Sequence, residues 1–420
     1  MAHWFHRNAL KATGPVDFAL KGVLSNDAAA RIAGQLRGSR SKLLELLADP
    51  ASDQGQVEEQ FCKYLGLLQG FLESQDPAAP GKSKLRPLIR FRWTQSVQSG
   101  TVPMEANDAA FEALCICLNL AFWYSKHAAR IAASDEVGEE EALQVHRCLR
   151  KAAGIFEYAN GQKDSLALES EKGQDLTDLI LSAYTHQSLG EAQEIVVARA
   201  VEKGNAAPLI SALAHAAAKL FKKADEDLAP LEPSLFEKWR VYLQLKTAFY
   251  LAYAYAFKGE ALLKEDQCGS AVRACKEGEK HLAEAERLSR LYKKSRGPNS
   301  TKAASCESHL FFRSLAPTLK RHLDKAEREN GFIYHQKVPE ECPPLDEDPK
   351  YGLVAPIPFQ SPPPDALWQP HIYAAFDINK AAMPDFSKGK KGKESLAEVK
   401  EAPIYQTAKD PSNTSGCSLS

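Results

Sequence analysis

The sequence predicts a mainly α-helical bundle, and three stretches carry that prediction. Between Gln56 and Leu72, the residues Val57, Phe61, Tyr64, Leu65, Leu68 and Leu72 recur at intervals of three and four, the spacing of one buried helix face. From Asn107 to Ala133 the chain is apolar on nearly every side (FEALCICLNLAFWYSKHAARIAA), as a helix in the middle of a bundle must be. Leu235–Lys264 and Cys268–Tyr292 then read as a helical hairpin. In it, Tyr255, Gly259, Leu262, Ala271 and Gly278 match the alternation of bulky and small positions in a tetratricopeptide repeat. No second copy is visible at a fixed period, so the match predicts closely packed antiparallel helices rather than a repeat array.

The remaining elements follow in order. Residues 1–25 hold several aromatics with Gly14, Pro15 and Gly22, and predict a non-helical N-terminal strip with a short strand near Val16–Leu20. Helical periodicity starts near Ala28. After a break at Pro77–Lys82, the run LRPLIRFRWTQSV suits a strand at Leu88, Ile89, Phe91 and Trp93. Further helices are expected at Glu139–Tyr158 and Asp175–Glu202, and a last one ending near Asn330.

The stretch Glu191–Phe221 carries more apolar surface than one buried face requires. Lys203–Pro208 breaks it into two helices, with Pro208 in the first turn of the second, where a missing N–H costs nothing. Ile210, Ala214, Ala217 and Phe221 form a core stripe, while Leu209 and Leu213 make a second pair turned about 100° away. Ile195, Val196 and Val197 are apolar in succession and cannot all face one core. Either a third element of the chain covers the surplus or a partner does, and the prediction is a partner. Charges are mixed along the helices and are read as solvated faces.

Past residue 330 the chain turns proline-rich and extended (NGFIYHQKVPEECPPLDEDPKYGLVAPIPFQSPPPD), with aromatics able to anchor it along the helices. From Phe386 onward Lys, Gly, Ser, Glu and Pro dominate, which predicts a disordered tail over 386–416. The chain closes on Cys417-Ser418-Leu419-Ser420, a C-a-a-X ending with the terminal serine usual for farnesylation. The expected product is an S-farnesyl cysteine methyl ester at Cys417 after loss of Ser418, Leu419 and Ser420. One lipid binds membranes only marginally, and Lys388, Lys390, Lys391 and Lys393 supply a second, electrostatic attraction to an anionic surface.

Composition excludes other classes. A net charge of −1 offers no basic field for nucleic acid. No run is long and apolar enough to span a bilayer, and the N-terminus lacks a signal-peptide layout. Ala2 rules out N-myristoylation. Nine cysteines without a C-x-x-C pair suggest neither zinc nor a redox dithiol. Cys115 and Cys117 read as small buried hydrophobes of a reducing, cytosolic protein. His3 and His6 lack a third ligand; His186, His215 and His335 have no visible nucleophile; Asp225–Asp227 and Asp346–Asp348 fall at turns. No phosphate-binding, dinucleotide or kinase motif occurs. The sequence proposes no enzyme, metal or cofactor.

Six segments together, HWFHRNALKAT, FRW (Phe91–Trp93), KAAGIF (Lys151–Phe156), EAQE (Glu191–Glu194), NGFIYHQKVP (Asn330–Pro339) and the CSLS end, resemble the BRO-domain family that includes ALIX, and in particular its short prenylated branch. The resemblance implies a BRO domain over residues 1–385, a basic and polar tail over 386–416 and a prenylation motif at 417–420. It further implies a curved, boomerang-like helical bundle with a tetratricopeptide-like core and a small β-sheet near the chain ends. Members of the family bind the C-terminal amphipathic helix of charged multivesicular body protein 4, an ESCRT-III subunit, through an apolar patch on the concave side. Matched through EAQE, that patch falls on Val196, Leu209 and Leu213, with Arg147 bordering it. The family more typically has an aromatic where this chain has Val196. The function so implied is a prenylated adaptor in ESCRT-dependent membrane remodelling, on the cytosolic face of endosomal or nuclear-envelope membranes. The alternative is a lipid-anchored helical scaffold for unrelated cytosolic or cytoskeleton-linked partners. On this reading Leu213→Asp should abolish binding and leave the fold intact.

Overall fold

Helical periodicity becomes helix where the sequence places it. A computed structural model describes the chain apart from residues 1, 19–26, 98–102, 167–172, 296, 298–301, 304, 347–348, 350, 379–394 and 406–420. The helices are α1 Asp27–Leu47, α2 Gln54–Leu72, α3 Ala109–Ala132, α4 Glu139–Gln162, α5 Asp178–Glu202, α6 Ala207–Leu228, α7 Pro233–Lys264, α8 Cys268–Lys294, α9 Leu310–Arg313, α10 Leu315–Glu329 and α11 Pro370–Ala374. From α3 to α8 each helix packs on the next in the chain, and α10 closes over α7 and α8. Helices α2 and α3 begin at aspartates whose carboxylates accept backbone N–H groups of the first turn, Asp53 from Gln56 and Asp108 from Ala110.

Helix α3 is buried on nearly all sides, Cys115 and Cys117 included, and so occupies the centre its composition predicts. The α7–α8 hairpin is as close as its small residues suggest: a Cβ at Gly259 would stand 2.3 Å from the Cys275 sulfur. Between α5 and α6, the Asn205 N–H reaches Ala200 O at 3.0 Å and the Gly204 N–H reaches Val201 O at 3.1 Å. Gly204 is left-handed, with φ of 63°, and the pair of bonds satisfies the end of α5 before α6 starts.

Among the described residues, two short antiparallel ribbons supply the strands. Strand β1, His6–Arg7, pairs with β4, Lys302–Ala303; β2, Phe91–Trp93, pairs with β3, Met104–Ala106. The strand expected at Val16–Leu20 is not formed by residues 16–18, and 19–20 lie outside the described residues. Its aromatic is there for packing: Phe18 is buried against Phe71 and Phe91. Leu88 and Ile89 likewise precede the strand rather than join it.

The N-terminal strip passes through the interior and takes its charges with it. Arg7 is held by Glu191 through two bonds of 2.8 and 2.7 Å, and Lys11 Nζ lies 2.5 Å from Asp175. Glu194 accepts from Lys246 at 2.9 and 3.0 Å and contacts His3 Nδ1 at 2.9 Å, all three side chains being without exposure. Burial alone would raise the Glu194 carboxyl, but Lys246 and His3 hold it below its ordinary range. His6 bonds Tyr292 through Nδ1 at 2.9 Å and Asn8 through Nε2 at 3.1 Å. Both N-terminal histidines are therefore occupied by structural hydrogen bonds.

The proline-rich segment runs across the helices as its aromatics suggest. Phe359 packs on Phe61 and Tyr158, and the Trp368 indole donates to Leu67 O at 2.8 Å. Ile357 N–H donates to Arg150 O at 3.0 Å, beside Gly154, where any Cβ would meet the Ile357 carbonyl. Of the tail expected to be disordered over 386–416, residues 386–394 and 406–416 lie outside the described residues. Residues 395–405 return to the body and bury Ile404 and Tyr405, because those two apolar side chains find a site beside the N-terminal strip.

Burial drives the His6 imidazole from 6.5 down to about 3, against the pull of its Asn8 bond. A proton taken up by the unfolded chain below pH 6.5 is refused by the folded one until about pH 3, so stability falls on acidification through that window. The slope is about 1.4 kcal/mol per pH unit for one such group. Urea unfolding at pH 7.5, 6 and 5 should show this loss, and His6→Gln should remove about one proton's worth of slope.

Candidate functional site

The surplus apolar residues on α5 and α6 open onto a cleft. Its volume is about 290 Å³, and its walls come from α4 (Ala142, Leu143), α5 (Ile195, Val196), α6 (Leu209, Leu213) and the extended residues Tyr351–Gly352. Periodicity explains the division of labour. Ile210, Ala214, Ala217 and Phe221 all face the core, as do Ile195 and Val197. Val196 and Leu209 are left half-buried at the margin, and Leu143 across from them is 62% exposed.

Three of the four residues expected at the patch are thus brought together, and Arg147 is not. It is exposed on α4 and absent from the cleft lining, whose α4 residues are Glu139, Ala142, Leu143 and His146. Arg147 follows Leu143 by one helical turn and stands in solvent without lining the cleft. The positive rim comes instead from Arg199 of α5 and Lys203 just past its end, whose cationic groups lie 3.3 and 2.9 Å from Glu139. Lys203 foremost, then Arg199, keep the Glu139 carboxyl below its usual range. His146 is pushed down to about 4, by burial first and by Arg150 second, so it is neutral near pH 7 and the cleft floor is uncharged.

Leu213 departs from expectation in a different way. It is only 2% exposed, because the extended chain crosses directly over it. A Cβ at Gly352 would lie 2.9 Å from Leu213 Cδ2 and 3.6 Å from Val196 Cγ1; Gly352 also has φ of 88°, a region that favours glycine. Gln193 pins this crossing: its amide N–H donates to Gly352 O at 3.1 Å, and its carbonyl accepts Val354 N–H at 3.0 Å. Sequence reasoning had no signal for Gln193, Leu143 or Tyr351 at this site. A polar residue inside EAQE, with its amide spanning two backbone groups of a distant segment, is recognisable only once the chain is folded.

Nothing catalytic gathers among the described residues. No group of three or more His, Cys, Asp or Glu is placed to hold a metal, and the eight described cysteines are free. His186 pairs with Asp227 at 2.6 Å, and His215 contacts Asp346 O at 2.7 Å. A larger cavity of about 590 Å³, between α2, α3 and α4, has a mixed lining in which Arg86 is held by both oxygens of Asp108. No described helix is long and apolar enough to cross a membrane.

Comparison with known proteins finds a BRO1-like domain matching residues 10–386. The chain is 46% identical to the BRO1 domain-containing protein BROX homolog of Caenorhabditis elegans over 430 aligned residues, covering 99% of both chains. It is 45% identical to human BRO1 domain-containing protein BROX, covering 92% of this chain and 93% of that one. Among solved structures, the ALIX BRO1 domain in complex with CHMP4C superposes with a TM-score of 0.65 at 18% identity, covering 85% of this chain and 96% of that chain. A structure described as the basis for endosomal targeting by the Bro1 domain gives 0.61 at 19% identity, over 91% and 97%. These two likenesses concern the fold.

Because Leu213 lies beneath Gly352, Leu213→Asp should destabilise the protein by about 3–5 kcal/mol, combining a lost buried leucine with an unpaired carboxylate. Leu209→Asp, at a half-buried position, should cost about 1 kcal/mol or less. Thermal unfolding followed by circular dichroism separates the two.

Proposed function

Since this chain belongs to the BRO1-domain family, we propose that its cleft at Val196, Leu209 and Leu143 binds the C-terminal amphipathic helix of ESCRT-III subunits of the charged multivesicular body protein 4 class. The observation that carries this reading is the cleft itself, an apolar floor left open between α4, α5 and α6, with a neutral His146 and a charged rim at Glu139, Arg199 and Lys203. A similarly folded domain, that of ALIX, has been solved in complex with CHMP4C, which lends the reading further support.

The chemistry is that of a helix in a groove. Leucine or methionine side chains at helical spacing on the partner enter the apolar floor, and flanking charges of the partner meet the rim. Val196 presents less surface than an aromatic, so Leu209 and Leu143 carry a larger share of the contact. Leu213 supports the floor from beneath the crossing chain rather than touching the partner broadly. Burying one leucine-sized side chain contributes about 1.5–3 kcal/mol. Leu209→Asp should therefore weaken binding of a synthetic ESCRT-III helix about tenfold or more in fluorescence anisotropy, with the circular dichroism spectrum unchanged. Unaltered affinity in a folded Leu209→Asp protein would refute the site.

The second half of the proposal is location. Cys417, which lies outside the described residues, is taken as the farnesylated position, with Lys388, Lys390, Lys391 and Lys393 adding attraction to anionic lipid. The protein then acts as an adaptor that holds ESCRT-III subunits at the cytosolic face of a membrane. Cys417→Ser should move the protein from the membrane to the soluble fraction on flotation, and intact-mass analysis should show the farnesyl group only on the unaltered chain. Equal distribution of both proteins would refute the lipid.

A further inference from the structure

Residues 395–405 hold on to the body at four separate places, although their composition is that of a solvated tail. The Tyr405 hydroxyl donates to Phe5 O at 2.9 Å and accepts Phe5 N–H at 3.3 Å, so one side chain serves both backbone groups of a strip residue. One oxygen of Glu401 accepts the Leu10 N–H at 2.8 Å, and the other pairs with the Lys126 ammonium of α3. Both side chains of that ion pair are buried. The Ala402 N–H donates to Ala48 O at 2.9 Å, and Leu396 sits beside Gly14. Ile404 and Tyr405 are 1% and 2% exposed. Two buried apolar side chains, a buried ion pair and four bonds to backbone groups mark a built interface, not a chain lying loosely on a surface.

We propose that residues 395–405 are an intramolecular latch that sets where, and on how short a tether, the chain leaves the body for the membrane. The membrane part rests on the reading of Cys417 given above; the latch itself does not. Only residues 406–416 separate Tyr405 from Cys417, so a docked latch limits Cys417 to roughly 40 Å from Tyr405. If 395–405 were released, the last anchored residue would be the buried Phe376, and the limit would rise to roughly 140 Å. The latch also fixes a side. Tyr405 docks on Phe5, whose strip neighbours His3 and Arg7 engage Glu194 and Glu191 of α5. Val196 lies about 200° around the same helix from Glu194. The last docked residue therefore lies on the strip side of α5, opposite the cleft-lining Val196.

The test uses the full chain in two measurements. Without lipid, hydrogen exchange followed by mass spectrometry should show the peptide containing Ala402 protected on the order of tenfold or more over the same peptide in Ile404→Asp/Tyr405→Asp, with the helices unchanged. Should that double variant lose helicity, Glu401→Gln provides a milder release of the same contact. Equal exchange in the intact and altered chains overturns the latch. After enzymatic farnesylation, a donor dye on the exposed Cys62, in a Cys342→Ser background, reports distance to acceptor-labelled vesicles of phosphatidylcholine and phosphatidylserine. Both proteins should bind the vesicles, with energy transfer clearly weaker in the double variant. Equal transfer overturns the tether role. If neither protein accepts farnesyl nor binds vesicles, it is the Cys417 reading that fails, and hydrogen exchange alone decides the latch.

Discussion

The structure depends on a set of charges buried between the N-terminal strip and helix α5. Glu191 and Glu194 project from one side of α5 toward Arg7, His3 and Lys246, and Lys246 also sits 3.8 Å over the Trp4 ring. Removing one partner from such a group leaves a charge without water or counter-ion, a loss of about 3–5 kcal/mol. The strip has little regular structure of its own, so these ion pairs are what specify its path. Their directionality does what a hydrophobic contact cannot: it fixes the register of residues 3–11 against α5 and α7.

Helix α5 is consequently a wall with two distinct faces. Charged residues of EAQE look toward the strip; Gln193 and Val196 look toward the cleft and the extended C-terminal segment. The groups that hold the fold together and those that offer a surface to a partner are neighbours in sequence. They are separated only by the turn of the helix. Such an arrangement places a rigid backbone beneath the cleft, since α5 is clamped from behind before anything binds in front.

Much of this was legible in the chain. The helices of the hairpin, the central α3 and the stripe at Ile210, Ala214, Ala217 and Phe221 all follow from local periodicity, which reports burial faithfully where neighbours are close in sequence. Long-range coverage is a different matter. Leu213 looked like surplus surface because nothing in its own helix reveals that Gly352 lies over it. The carboxylates of EAQE resembled ordinary solvated charges, since their partners Arg7, His3 and Lys246 are far away along the chain. The docked 395–405 segment escaped notice because two apolar residues among many polar ones make no periodic pattern. Arg147, given only by matching motifs, stands one turn beyond Leu143 and outside the cleft lining, a position that local periodicity does not settle.

The meeting of Gly352 with Leu213 carries a consequence for how this sequence can drift over generations. A side chain at position 352 is penalised twice, by a left-handed backbone and by a leucine methyl already occupying the space. A smaller residue at 213 relieves the second penalty but not the first. Variation is therefore channelled to one member of the pair: among orthologues, position 213 is free to shrink while 352 stays glycine, and a bulky 352 should be found only where the crossing has been rebuilt.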